Sequence, residues 1–98
     1  MNHNENKTML KIQEQMGERA GGCYIDLIKK IRRRRRELGV SQTLLGNLCG
    51  IHQNHVSKIE RFHIVPRTDI LIKMITFLHL ELSLDIEDGW DFSSGTKN

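Results

Sequence analysis

Residues 41–61 read SQTLLGNLCGIHQNHVSKIER, and the punctuation inside that stretch decides the fold. Ser41 is a good helix N-cap, because its hydroxyl can accept a hydrogen bond from a first-turn amide that has no partner within the helix. Gln42 to Cys49 then forms a short helix in which Leu44, Leu45 and Leu48 offer apolar faces, and Gly50 ends it. A second short helix follows from His52 to Glu60 or Arg61, with Ile51, Val56 and Ile59 supplying its buried side. Only a tight turn fits between the two.

Upstream, Leu27, Ile28, Ile31, Arg35 and Leu38 recur at helical spacing, so Tyr24 to Leu38 reads as the first core helix, with Gly39 as its C-terminal cap. Thr8 to Ala20 predicts a short amphipathic helix on which Met9, Ile12 and Met16 share one face, and Gly21-Gly22 is expected to break the chain before the core begins. Downstream, Phe62 to Arg67 is a loop holding the single proline, and Thr68 is expected to cap another helix. Its apolar positions Ile70, Leu71, Met74, Ile75 and Leu78 have a period near 3.6, and Asp69 stands near the positive helix start. After His79 the period changes to two: Leu80, Leu82, Leu84 and Ile86 alternate with Glu81, Ser83, Asp85 and Glu87, the pattern of a strand. A lone strand has no partner in its own chain and unpaired backbone is costly, so it is expected to pair with its twin in an isologous homodimer. The expected fold is mainly α, four to five helices with a C-terminal strand (80–87) pairing across a homodimer. It is divided into an N-terminal appendage (1–22), a core domain (23–87) and a flexible tail (88–98).

Ninety-eight residues allow one hydrophobic core, and 38% hydrophobic with 28% charged residues is the balance of an ordered globular chain. The longest apolar stretch, Ile70 to Leu80, is interrupted by Lys73 and His79 and falls short of the ~18 residues that span a bilayer. The polar start MNHNENKT lacks the layout of a secretory signal, so a cytoplasmic location is expected, where disulfides do not form. Cys23 and Cys49 share no metal or redox spacing, and Cys49 reads as a core residue. The net charge of +3 is unevenly spread: residues 1–22 are neutral, 23–67 carry +7 and 68–98 carry −4. A middle segment this basic points to a polyanion on one side of the molecule, and the acidic C-terminal part to a protein partner.

Joined through Gly50 and Ile51, the two short helices have the spacing of a helix-turn-helix. At about 100° per residue, Val56 and Ile59 of the second face inward with Glu60 beside them, while Asn54, Ser57, Lys58 and Arg61 point out. Gln53 lies on the flank of the first turn, where a helix entering a groove end-on can bring it to base edges. Amide side chains match adenine, and Lys58 can donate to guanine or reach a phosphate. Gln53, Asn54 and Lys58 are therefore the candidate base readers. Gln42, in the first turn of the preceding helix, can meet a phosphate oxygen, as can Ser57, Arg61 and His55. Arg35 falls on the same stripe as Ile28 and Ile31, and is expected to pair with Glu60 in a buried ion pair. The other arginines of Arg32 to Arg36 read as a solvated or phosphate-attracting face.

The stretch SQTLLGNLCGIHQNHVSKIER resembles the Cro and phage-repressor-like (Xre) family, over roughly Asp26 to Leu80. The resemblance implies base reading at Gln53 and Asn54, a phosphate contact at Gln42 and a buried Arg-Glu bridge. Arg34 departs from it, since the family usually has an apolar residue there. The passage TDILIKMITFLHLELSLDI, from helix straight into strand, resembles HipB-type antitoxins. It implies a dimer that binds a palindromic operator, represses its own operon and holds a HipA-like serine/threonine kinase toxin, with Trp90 and Phe92 as possible toxin contacts. Two alternatives stay open: a phage or prophage regulator with no toxin partner, and a toxin-neutralising interaction protein with little DNA affinity. No Ser-His-Asp set, phosphate-cradling glycine loop or paired carboxylates are visible, so no enzyme activity, cofactor or metal is expected. Cys49, His52, His55 and His63 match no ligand spacing.

Overall fold

Five helices follow one another in the computed structural model, which describes residues 3–81: α1 (His3–Met16), α2 (Glu18–Glu37), α3 (Gln42–Cys49), α4 (Gln53–Glu60) and α5 (Thr68–Phe77). The described part is thus mainly α. Their shared core is built from Ile28 and Ile31 of α2, Leu45 and Cys49 of α3, Val56 and Ile59 of α4, and Ile70, Met74 and Ile75 of α5, closed by Phe62 and Leu78. Met9 and Ile12 of α1 are buried with them and Met16 packs alongside, so the face expected on this helix is the one that meets the core.

The expected break at Gly21-Gly22 is corrected: both glycines are helical, and α2 starts at Glu18, six residues before Tyr24. The break falls instead at Gly17, whose φ of 88° only glycine adopts without strain. Gly21 serves close approach. A Cβ on it would lie 2.7 Å from the Cα of Gln13, so its missing side chain lets α2 lie against α1. Gly22, the expected edge of the appendage, is therefore inside a helix.

Ser41 caps α3 by accepting from the amide of Leu44 at 3.0 Å, and Gly39 and Gly50 close α2 and α3 with φ of 70° and 75°. Two further helix ends use the same left-handed closure without glycine. Phe62 (φ 64°) follows α4, with the His63 amide donating to the Lys58 carbonyl at 2.8 Å; His79 (φ 55°) follows α5, with the Leu80 amide donating to Ile75 at 3.0 Å. Thr68 is the first residue of α5 rather than its cap: Arg67 takes that position, and its guanidinium meets Asp69 at 3.0 Å. Leu44 and Leu48, expected on apolar faces, are 47% and 44% exposed, because α3 turns only the side chains of Leu45 and Cys49 into the core, and Leu38, at the C-cap of α2, is 40% exposed. Leu80 is half-buried against the core in irregular backbone. Leu82, Leu84 and Ile86 of the expected strand, and Trp90 and Phe92, lie outside the described residues.

Candidate nucleic-acid interface

The turn between α3 and α4 is tight enough that a Cβ on Gly46 would lie 2.6 Å from the Ile51 carbonyl oxygen. His52 then starts α4 as its N-cap, with extended backbone and Nδ1 accepting from the Asn54 amide at 3.0 Å. That assignment puts the ring proton on Nε2. Val56 and Ile59 anchor α4 in the core, which turns Asn54, His55, Lys58 and Arg61 to solvent and leaves Ser57 half-buried. Asn54, Lys58 and Arg61, at i, i+4 and i+7, form one exposed stripe along the helix.

Behind this stripe lies a buried polar chain. Glu60 is 1% exposed, and Arg35 reaches it from α2 through Nε to Oε2 at 2.6 Å and Nη2 to Oε1 at 2.9 Å. The third arm of the guanidinium donates to the Val40 carbonyl at 2.8 Å, so the charge is paired and hydrogen-bonded as burial requires. Glu60 Oε1 also accepts from Gln42 Nε2 at 3.0 Å, and Gln42 Oε1 accepts from Gln53 Nε2 at 3.0 Å. The direction of this relay follows from the carboxylate. Glu60 can only accept, so Gln42 turns its NH2 inward and its oxygen toward Gln53. Gln53 keeps its own oxygen and one N–H uncommitted by this relay, the pair that matches the N6–H and N7 of adenine.

The structure therefore joins four of the candidate residues, Arg35, Glu60, Gln42 and Gln53, into one network, where the sequence treated the ion pair and the two glutamines separately. Sequence reasoning missed three supporting residues. Arg32 is no free phosphate lure: its Nη1 donates to Glu5 at 2.8 Å and to the Glu60 carbonyl at 3.1 Å, and its guanidinium sits 5.8 Å from the centre of the Phe62 ring. Arg34 donates from Nε to the Leu78 carbonyl at 3.0 Å and so satisfies the end of α5. Phe62, read as loop, is 2% exposed and fills the floor beneath α4. A large aromatic residue among polar loop residues was the available signal. Arg33 and Arg36 remain exposed, as expected of that run.

A helix-turn-helix family model matches residues 31–84, which takes in the last seven residues of α2 and everything to the end of the described chain. An HTH-type transcriptional regulator of Haemophilus influenzae, itself uncharacterised, is 30% identical over 83 residues, spanning 85% of this chain and 83% of that protein. No solved structure matches the chain significantly. With the turn at Gly50, the N-capped α4 and the match across them, the chain belongs to the helix-turn-helix family.

Proposed function

We propose that the protein is a sequence-specific DNA-binding repressor that reads a palindromic operator as a homodimer, with α4 in the major groove. The observation that carries this reading is the relay from Glu60 through Gln42 to Gln53, which holds one amide side chain at the first turn of α4 in a set orientation. Gln53 and Asn54 read adenine, and Lys58 donates to guanine or to a phosphate. Gln42, Ser57, Arg61 and His55 contact phosphates and fix the register. The Haemophilus influenzae relative is described as an HTH-type transcriptional regulator, which agrees with this role. Half-exposed Leu44 and Leu48 on α3 and Phe77 on α5, together with the alternation of Leu80, Leu82, Leu84 and Ile86, support a second copy as partner. Selection from a random duplex pool tests the reading. The expected product is an inverted repeat whose half-sites lie about one helical turn apart; recovery of unenriched sequence refutes it.

Within that function, the role is that of a HipB-type antitoxin that represses its own operon and binds a HipA-like serine/threonine kinase toxin. The sequence that runs from α5 directly into residues 80–87, and the −4 charge of residues 68–98, support it. Trp90 and Phe92 are the proposed aromatic anchors for the kinase. Nuclease-treated affinity purification from the native host is expected to retain a kinase-like protein in stoichiometric amount. Recovery of the chain bound only to its own upstream duplex favours a stand-alone regulator instead.

A further inference from the structure

Helix α1 and residues 18–30 of α2 precede the family match, yet α1 reaches the end of α4. Thr8 Oγ1 shares its one proton between the Glu5 carbonyl at 2.9 Å and the Arg61 carbonyl at 3.2 Å, and Arg32 ties Glu5 of α1 to the Glu60 carbonyl. These bonds set Lys7 and Lys11, exposed and one turn apart, beside His63 of the loop that leaves α4. Lys7, Thr8, Lys11 and His63 line an open recess of about 270 Å³. Of the acids on α1, Glu5 lies 2.8 Å from Arg32, which meets its charge, and Glu14 stands one turn beyond Lys11 on the same face, outside the lining of the recess.

The stripe Asn54, Lys58, Arg61 ends at the residue whose carbonyl Thr8 meets, two positions before His63 of this recess. A helix of eight residues is about 12 Å long, and the major groove is about 12 Å wide. With the first turn of α4 at the base edges, whatever stands beyond Arg61 faces the sugar-phosphate strand that bounds the groove. Leu10, the exposed large apolar side chain of α1, lines a separate groove with Gly22 and Lys29 and not this recess. The recess beside His63 presents the ammonium groups of Lys7 and Lys11 on their aliphatic stems, two positive charges placed for phosphate.

We infer that Lys7 and Lys11 of α1, with His63, form a phosphate-binding shelf that carries the DNA footprint past the helix-turn-helix onto the flanking backbone. This inference rests on the reading of α4 as the DNA-facing helix. Each phosphate neutralised by a lysine contributes about −0.9 to the slope of log affinity against log salt.

Fluorescence anisotropy of a labelled random-sequence duplex, titrated between about 50 and 300 mM KCl, tests it with three proteins. Lys7→Ala with Lys11→Ala is expected to bind roughly ten-fold more weakly than wild type at about 100 mM, with the slope reduced in magnitude by about 2. Lys29→Ala with Lys30→Ala removes the same charge from exposed positions of α2 and is expected to keep the wild-type slope. Thermal unfolding is expected to be the same for all three, because the four lysines are exposed. An unchanged slope in the Lys7/Lys11 variant, or an equal reduction in the Lys29/Lys30 variant, overturns the shelf while leaving the α4 reading intact. Failure of the wild type to bind duplex at the lowest salt overturns both.

Discussion

Tyr24 is buried among the side chains of the core, and among the described residues its hydroxyl has no hydrogen-bond partner. An unsatisfied buried donor costs about 1–3 kcal/mol, so Tyr24→Phe is expected to raise the thermal midpoint; a lower midpoint would show that the hydroxyl is bonded. Burial pushes the Tyr24 pKa from 10.0 up to about 12. The folded state therefore holds this proton more tightly than the unfolded state, and stability present below pH 10 is lost as pH rises toward 12. The phenylalanine variant is expected to lose that part of its alkaline sensitivity. His79 is exposed in the left-handed region, where a β-carbon is strained, so His79→Gly is expected to stabilise by about 1 kcal/mol, read by urea unfolding. Phe62 shares that conformation but fills the core, and there burial outweighs the strain. Arg35→Met leaves Glu60 charged and unpaired, with an expected cost of about 3 kcal/mol or more, whereas adding Glu60→Leu is expected to recover most of it. Unchanged stability in the single variant would contradict the pair. Arg35 was legible because an arginine stood on an apolar stripe. Arg32 and Arg34 were not, since their partners include backbone carbonyls that no side-chain pattern advertises.

At the scale of the element, the ends of α3 and α4 were readable from Ser41, Gly50 and the apolar pair Val56 and Ile59, because each acts through neighbours a few residues away. His52 reads from the sequence as the first residue of its helix although it occupies the position of an N-cap; its ring nitrogen does what a serine or aspartate oxygen does elsewhere. The Gly21-Gly22 pair misled for a physical reason. Glycine marks both the end of a helix and the place where two helices touch, and only the tertiary neighbour Gln13 distinguishes them. Gly21→Leu is accordingly expected to push α1 off α2 and destabilise by about 2 kcal/mol, with increased proteolysis near Gly17. A variant as stable as wild type would mean that the α1–α2 contact is loose. The exposure of Leu44 and Leu48 was equally hidden, because a three-leucine helix of two turns does not say which of its faces the core takes.

Over the whole molecule, the +7 charge of residues 23–67 is partly spent inside the fold: Arg35 is paired with Glu60, Arg32 with Glu5, and Arg34 holds the end of α5. The cations left for a polyanion are fewer and more localised than the run Arg32 to Arg36 suggests. They include Lys58 and Arg61 on α4, and Lys7 and Lys11 where α1 meets its end. The buried relay connects core stability to reading, since Glu60 serves Arg35 and Gln42 at once. The account stands or falls on α4 as the reader of bases. The most direct measurement is the affinity of wild type, Gln53→Ala and Asn54→Ala for the selected operator and for the same duplex with each adenine contact changed in turn. Wild type is expected to lose about 1–3 kcal/mol at a changed position, and each alanine variant to bind operator and changed duplex equally at its own position. Undiminished discrimination by both variants would contradict it.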